Sequence, residues 1–234
     1  MRLLVLQENI DDMIKSLLYK EWIKTRFVVL LLCVGLAAFL SYDFLVLSKN
    51  VQLMGYSFWW EHAVGKNSII VENLTLLPVI CGILLSISQY VPESNRKCLK
   101  LTLHLPMPQH LTIAVTQAYG VAVLVVLFGV QALLVGLFLN HYLVADLVSR
   151  IVFSLMTWYC AGLCSYVWMS AVCLEPDWKM KVFEGVLMCA LLSIYYMSSA
   201  AMAYRYAVIP LFVVTVLLAS VLIHYSVRRF KDGN

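Results

Sequence analysis

Apolar residues run almost without interruption over six stretches of the chain, at about 27–47, 69–91, 112–139, 147–174, 182–204 and 207–226. A helix rises about 1.5 Å per residue, so about 20 residues cross a hydrocarbon core about 30 Å thick, and each stretch is long enough to span it with some tilt. The pattern predicts an all-α membrane protein: one domain of six transmembrane helices over residues 27–226, then a short tail at 227–234. The third and fourth stretches exceed a minimal span and are expected to project beyond the bilayer or cross it obliquely. Only residues 204–206 separate the last two, which predicts either a tight hairpin or a helix that breaks within the membrane.

Ahead of the first stretch the pattern changes. Ile10, Met13, Ile14, Leu17, Leu18 and Trp22 recur at helical spacing, with Asp11, Asp12, Lys15, Lys20 and Lys24 on the other side. Residues 1–26 therefore read as an amphipathic helix in the cytoplasmic interface, with Ile14, Leu17, Leu18 and Trp22 on its apolar face. A helix covered by protein would show the same spacing. In the 48–68 connection, Tyr56, Phe58, Trp59 and Trp60 form an aromatic cluster of the kind found at a membrane surface, here the outer one.

Composition narrows the class. The 234 residues are 62% hydrophobic and 13% charged, against about 45–50% and roughly 25% for soluble domains, which excludes a water-soluble globule. No polar stretch is long enough to fold separately, so a nucleotide-driven engine would belong to another chain. Seven cysteines form an odd set, and all but Cys98 lie in apolar runs, which argues against a disulfide framework. Cys160 and Cys164 share a helix face without His or carboxylate neighbours in sequence, so packing is the favoured reading over metal binding. The apolar residues 3–6 are too few for a signal-peptide core, and the first spanning helix is expected to stay as an uncleaved anchor.

The distribution of Lys and Arg sets an orientation, because basic loops are retained on the cytoplasmic side. Five fall in residues 1–26, three in 92–111, two in 175–181 and three in the tail, 13 of the 17 in all, against Lys49, Lys66, Arg150 and Arg205 on the other side. Both termini are therefore expected in the cytoplasm, and an even number of crossings agrees in placing the two ends on one side. A multi-pass protein of the plasma (inner) membrane is the expected location, with membrane lipid as a partner and no nucleic acid.

Candidate chemistry is sparse. The five histidines show no metal-site spacing, and no metal ligand set or catalytic residue is expected. The Gly65-Lys66-Asn67-Ser68 run echoes a phosphate loop without its first glycine or its final Ser/Thr beside the lysine. Charges inside apolar stretches are costly unless paired or hydrated. Asp43, Glu72, Glu184 and Arg205 are the cases: Asp43, Glu72 and Arg205, all near the outer side, read as a structural ion pair or as a polar contact for cargo, and Glu184, entering the fifth stretch from the cytoplasmic side, has Lys181 as a local partner. Asp146 and Arg150 are expected to pair across one helical turn.

The first cytoplasmic connection runs Glu93-Ser94-Asn95-Arg96-Lys97-Cys98-Leu99-Lys100-Leu101-Thr102-Leu103-His104-Leu105-Pro106-Met107-Pro108, a short basic amphipathic segment closed by prolines. It resembles the first loop of the ABC-2 type transporter permeases, a Glu, a basic stretch, Gly-Thr-Leu and an apolar run ending in Leu-Pro. Glu93, Leu99 and Leu105-Pro106 match; Lys97 and Cys98 stand where the family usually has Gly-Thr. Tyr19-Lys20-Glu21 through Arg26 is similar to the Lys-Glu entry of those permeases.

The resemblance implies a permease dimer, a homodimer or a pseudo-symmetric heterodimer, under which two cytosolic ATPase subunits dock. The ATPases would bind ATP and Mg, and this chain would hold no cofactor and catalyse no bond chemistry; with no large outer stretch in the sequence, a small or lipid-like substrate is the expected export cargo. Glu93, Arg96, Leu99, Leu103 and Pro106 are the expected ATPase-coupling residues. A basic anchor on anionic lipid is the plainer account of the same loop. A cargo path is expected along Tyr195, Tyr196, Ser199 and Ala200, where small residues permit close helix approach; simple helix packing is the plainer account of the same residues. Two rivals stand beside the exporter: a non-transporting scaffold, and an intramembrane enzyme, for which no Ser-His or paired-Asp constellation lies within the spans.

Overall fold

A computed structural model describes residues 2–65, 74–95, 109–142, 144–198 and 203–232. Among them the fold is wholly helical, in the order α1 (Arg2–Gly65), α2 (Leu77–Asn95), α3 (Gln109–Tyr142), α4 (Ala145–Leu174), α5 (Trp178–Tyr195) and α6 (Val208–Asp232). Four of these are long and apolar enough to cross a membrane, over Asp12–Lys49, Leu111–His141, Leu147–Leu174 and Val208–Val227. The chain is accordingly a multi-pass membrane protein.

Proline sets several of the helix limits. Pro78 and Pro210 occupy first turns, where the missing N–H would have no intrahelical partner, and Pro176 lies in the connection between α4 and α5. Of the second apolar stretch, expected from residue 69, residues 69–73 lie outside the described residues, and α2 itself begins at Leu77. The fifth, expected to run to 204, ends at Tyr195. There the Tyr204 hydroxyl donates to the Ile194 carbonyl and accepts from the Ser198 N–H, so a side chain satisfies groups that a longer helix would have paired. Between α5 and α6 the described residues 196–198 and 203–207 are non-helical, so the two stretches are not one continuous helix. At the start of α5 the Asp177 carboxylate accepts from the Lys179 N–H at 3.2 Å, an N-cap.

The expected boundary between an interfacial helix and a first span is absent. α1 is one helix of 64 residues, unbroken through residues 26 and 27, since no Pro or Gly interrupts it there. Its inward stripe of Leu17, Glu21, Thr25, Leu32, Leu36, Leu40 and Leu47 repeats at the helical period, while Phe27, Leu30, Leu31 and Val34 are exposed on the outside of the bundle. α1 packs along α2 and α3, and Phe44 stacks on Phe138 with centroids 3.7 Å apart.

α4 is the central helix, touching α2, α3, α5 and α6. It approaches α2 backbone to backbone: a Cβ on Gly162 would meet the Pro78 carbonyl at 2.7 Å, and one on Gly82 would collide with the Gly162 carbonyl. Gly120 of α3 makes room in the same way for the Tyr166 ring. Larger residues at these points would hold the helices apart.

Candidate functional site

The densest group of charges lies where α1 meets the end of α2. Lys20 donates to Glu93 at 2.6 Å, and Lys24 donates to the same Oε1 at 3.1 Å. Lys24 also bridges to Glu21, 2.8 Å from Oε2. Positions 20, 21 and 24 lie within one turn of α1, which places both lysines and Glu21 against the last turn of α2. Two carboxylates thus face two ammonium groups, and the quartet is neutral. Glu21 is fully buried and Glu93 is 5% exposed, so pairing is what makes their charge tolerable in the interior. Burial pushes the Glu93 carboxyl up, but Lys24 and Lys20 outweigh it and leave its pKa below the usual carboxylate range.

The cluster continues into a buried polar layer. Thr25, one turn beyond Glu21, shares a 2.7 Å hydroxyl contact with Tyr119 of α3. On α2, Gln89 donates to the Thr116 carbonyl at 2.9 Å and accepts from the Tyr166 hydroxyl at 2.9 Å. Gln117 donates to the Ser170 hydroxyl at 2.6 Å. Four helices are therefore tied at one level by directional bonds in surroundings where an unmade bond is costly.

Two smaller polar groups lie elsewhere. Arg229 of α6 donates to Glu175 at 3.0 Å and lies 3.8 Å from Asp177, which fastens the end of α6 to the connection between α4 and α5. Cys164, Tyr195 and Thr215 form a buried triangle with edges of 3.0–3.3 Å, and Trp168 donates to the Thr215 carbonyl at 3.1 Å. Cys164 is thereby a packing residue, without a base beside it to activate the thiol. No group of three or more His, Cys, Asp or Glu among the described residues is placed to hold a metal ion. An open groove of about 490 Å³ runs along α6 beside Ser220, Val221, His224 and Tyr225.

Of the coupling residues expected from sequence, Glu93 lies in the quartet, and Arg96, Leu99, Leu103 and Pro106 lie outside the described residues. The interfacial face divides: Leu17 is buried, Ile14 is half-buried, and Leu18 and Trp22 are exposed. Lys20 and Lys24, expected on the opposite polar side, instead turn to Glu93 because buried carboxylates are there to receive them. Tyr195 is 1% exposed and held by Cys164 and Thr215, while the Tyr196 hydroxyl donates to the Thr75 carbonyl at 3.0 Å. Both tyrosines are built into helix packing in this state. Ser199 and Ala200 lie outside the described residues.

The remaining charge assignments are corrected or fall outside view. Glu184 is fully buried, with Lys181 and Arg229 as cations near enough to act on its carboxyl, though Lys181 makes no hydrogen bond with it. Arg205 is exposed and lies over the Tyr206 ring, 5.6 Å from its centroid. Glu72 and the Asp146 side chain are outside the described residues.

Sequence reading passed over Lys24, Gln89, Tyr119 and Tyr166 as site residues. Gln89 carried a signal, an amide in the apolar run Ile83–Val91 that must find partners in the interior; the other three gave none until the helices were assembled. No family model, curated protein or solved structure matches the chain.

Proposed function

We propose that this chain is the membrane-spanning permease subunit of an ATP-binding cassette exporter, moving a small or lipid-like substrate with ATP and Mg bound by a separate cytosolic subunit. One observation carries the reading. Lys20 and Glu21, in the segment similar to the Lys-Glu entry of ABC-2 permeases, and Glu93, from the loop segment similar to theirs, are 73 residues or so apart in sequence and meet in one buried ion cluster. Residues placed for a mechanical junction between the entry helix and the first loop would lie together in this way. The 13 basic residues assigned to one side support a six-crossing arrangement with both termini in the cytoplasm of a plasma membrane. On this reading two such chains form the conducting dimer, and this chain makes and breaks no covalent bond.

The test is purification of the whole chain from its native membrane without prior choice of partner. An ATPase should accompany it, and hydrolysis by that ATPase should depend on the chain. A preparation with no nucleotide-binding subunit, from membranes where the chain is assembled, would count against the exporter and for the scaffold.

A further inference from the structure

α1 is attached to the bundle by two unlike kinds of contact. Over Leu32, Leu36, Leu40 and Leu47 it is held by apolar packing, which is non-directional and lets helices pivot or slide. At the level of Glu21 it is held by charge-assisted hydrogen bonds, which weaken quickly when distance or angle changes. The register of α1 against α2 is therefore set at the ionic end. Glu93 stands two residues before the end of α2, and both ammonium groups converge on its Oε1. Being 5% exposed and doubly bonded, that carboxylate is spent on α1 and offers little to a cytosolic partner.

We propose that Glu93 is a positioning residue that clamps α1 to the end of α2 through Lys20 and Lys24, so that the two helices move as one body when that end is displaced. The clamp rests on the exporter reading for the source of the displacement, and it replaces the expected direct contact of Glu93 with the ATPase. Because α1 continues unbroken beyond the clamp, a shift at its ionic end is carried along the helix past Leu47. Thr25 and Tyr119 add a neutral tie to α3, which yields more readily than the charged one.

The experiment uses the full chain with its co-purifying ATPase in lipid nanodiscs. Spin labels on unnatural residues at Leu30 and Val125, both exposed, report the α1–α3 distance with and without Mg-ATP and vanadate. The expected result is a nucleotide-dependent shift that is lost in Glu93→Gln while ATP hydrolysis continues, and that returns in the charge-swapped pair Glu93→Lys with Lys20→Glu. Should Glu93→Gln fail to fold, Lys20→Gln leaves Lys24 on Glu93 and is expected to shrink the shift. A full shift in Glu93→Gln or, where that variant does not fold, in Lys20→Gln would overturn the clamp, and so would chain-dependent hydrolysis in the wild type without any shift. Absence of chain-dependent hydrolysis would instead overturn the exporter reading, and with it the clamp's role in transport.

Discussion

Lys24 carries more of the ionic cluster than its neighbours because it bonds both buried carboxylates. Removing it leaves Glu21, fully buried, with Lys20 at 3.9 Å as its nearest cation. Breaking a buried pair on one side costs about 3–5 kcal/mol, and Lys24→Ala should lower stability by that order in thermal unfolding of the detergent-solubilised chain. Lys20→Ala should cost less, since the Lys20 side chain is 43% exposed and Glu93 keeps Lys24. Equal losses from the two variants would contradict Lys24 as the hub.

Glu93 also makes an acid-side prediction at this scale. Its folded pKa is depressed below the ordinary carboxylate value expected in the unfolded chain, so folding binds fewer protons at this group. The stability it contributes is present above the usual carboxylate range and is lost as pH falls through that range to the depressed value. Stability measured by denaturant or heat should therefore fall in acid, and Glu93→Gln should flatten that part of the profile. An unchanged acid slope in the variant would show that Glu93 gains nothing from its lysines.

Between α2 and α4 the decisive residues are small. The Pro78 backbone and the Gly162 carbonyl occupy the space that side chains at Gly162 and Gly82 would need. Gly162→Ala should separate the helices and cost about 1–3 kcal/mol, the range for overpacking. Gly35 and Gly129 have nothing within 4 Å of an added Cβ, so Ala there should be neutral or stabilise by up to about 1 kcal/mol through helix propensity. Paired melting curves of the three substitutions check this; equal effects at packed and open glycines would remove the close approach.

Helix identity was readable because apolar runs of this length admit few other structures in a membrane. Helix ends were less so. Pro78 marks the start of α2, but the apolar run continues on both sides of it, so hydropathy alone does not single out Leu77 as the first residue of the helix. The end of α5 at Tyr195 depends on Tyr204, nine residues further on, whose hydroxyl takes the Ile194 carbonyl. A local window does not contain that partner.

For the whole molecule, charge asymmetry and packing bear on different questions. Thiol labelling of single-cysteine variants should find positions near Lys66 outside and those near Lys97 and Arg229 inside, as the basic-residue bias requires. An outer C-terminus would overturn the six-crossing arrangement. Packing decides instead which helix is central. α4 is buried on several sides, whereas α1 and α6 show broad apolar faces outward, and the same Val, Leu and Ile residues serve both surroundings because lipid and helix interior are alike in polarity.

By itself the sequence determined the helical class and the membrane setting, because hydropathy over a window is a local property. Only the tertiary structure decided that α1 passes unbroken from its charged turn into its apolar length, and that Lys20 and Lys24 bond to Glu93. The physical reason is that a lysine's preferred side is not fixed by its own helix. An amphipathic pattern sends it to water, but two buried carboxylates, one supplied by a helix some 70 residues away, offer a stronger partner, and nothing in the local spacing records that they will be there.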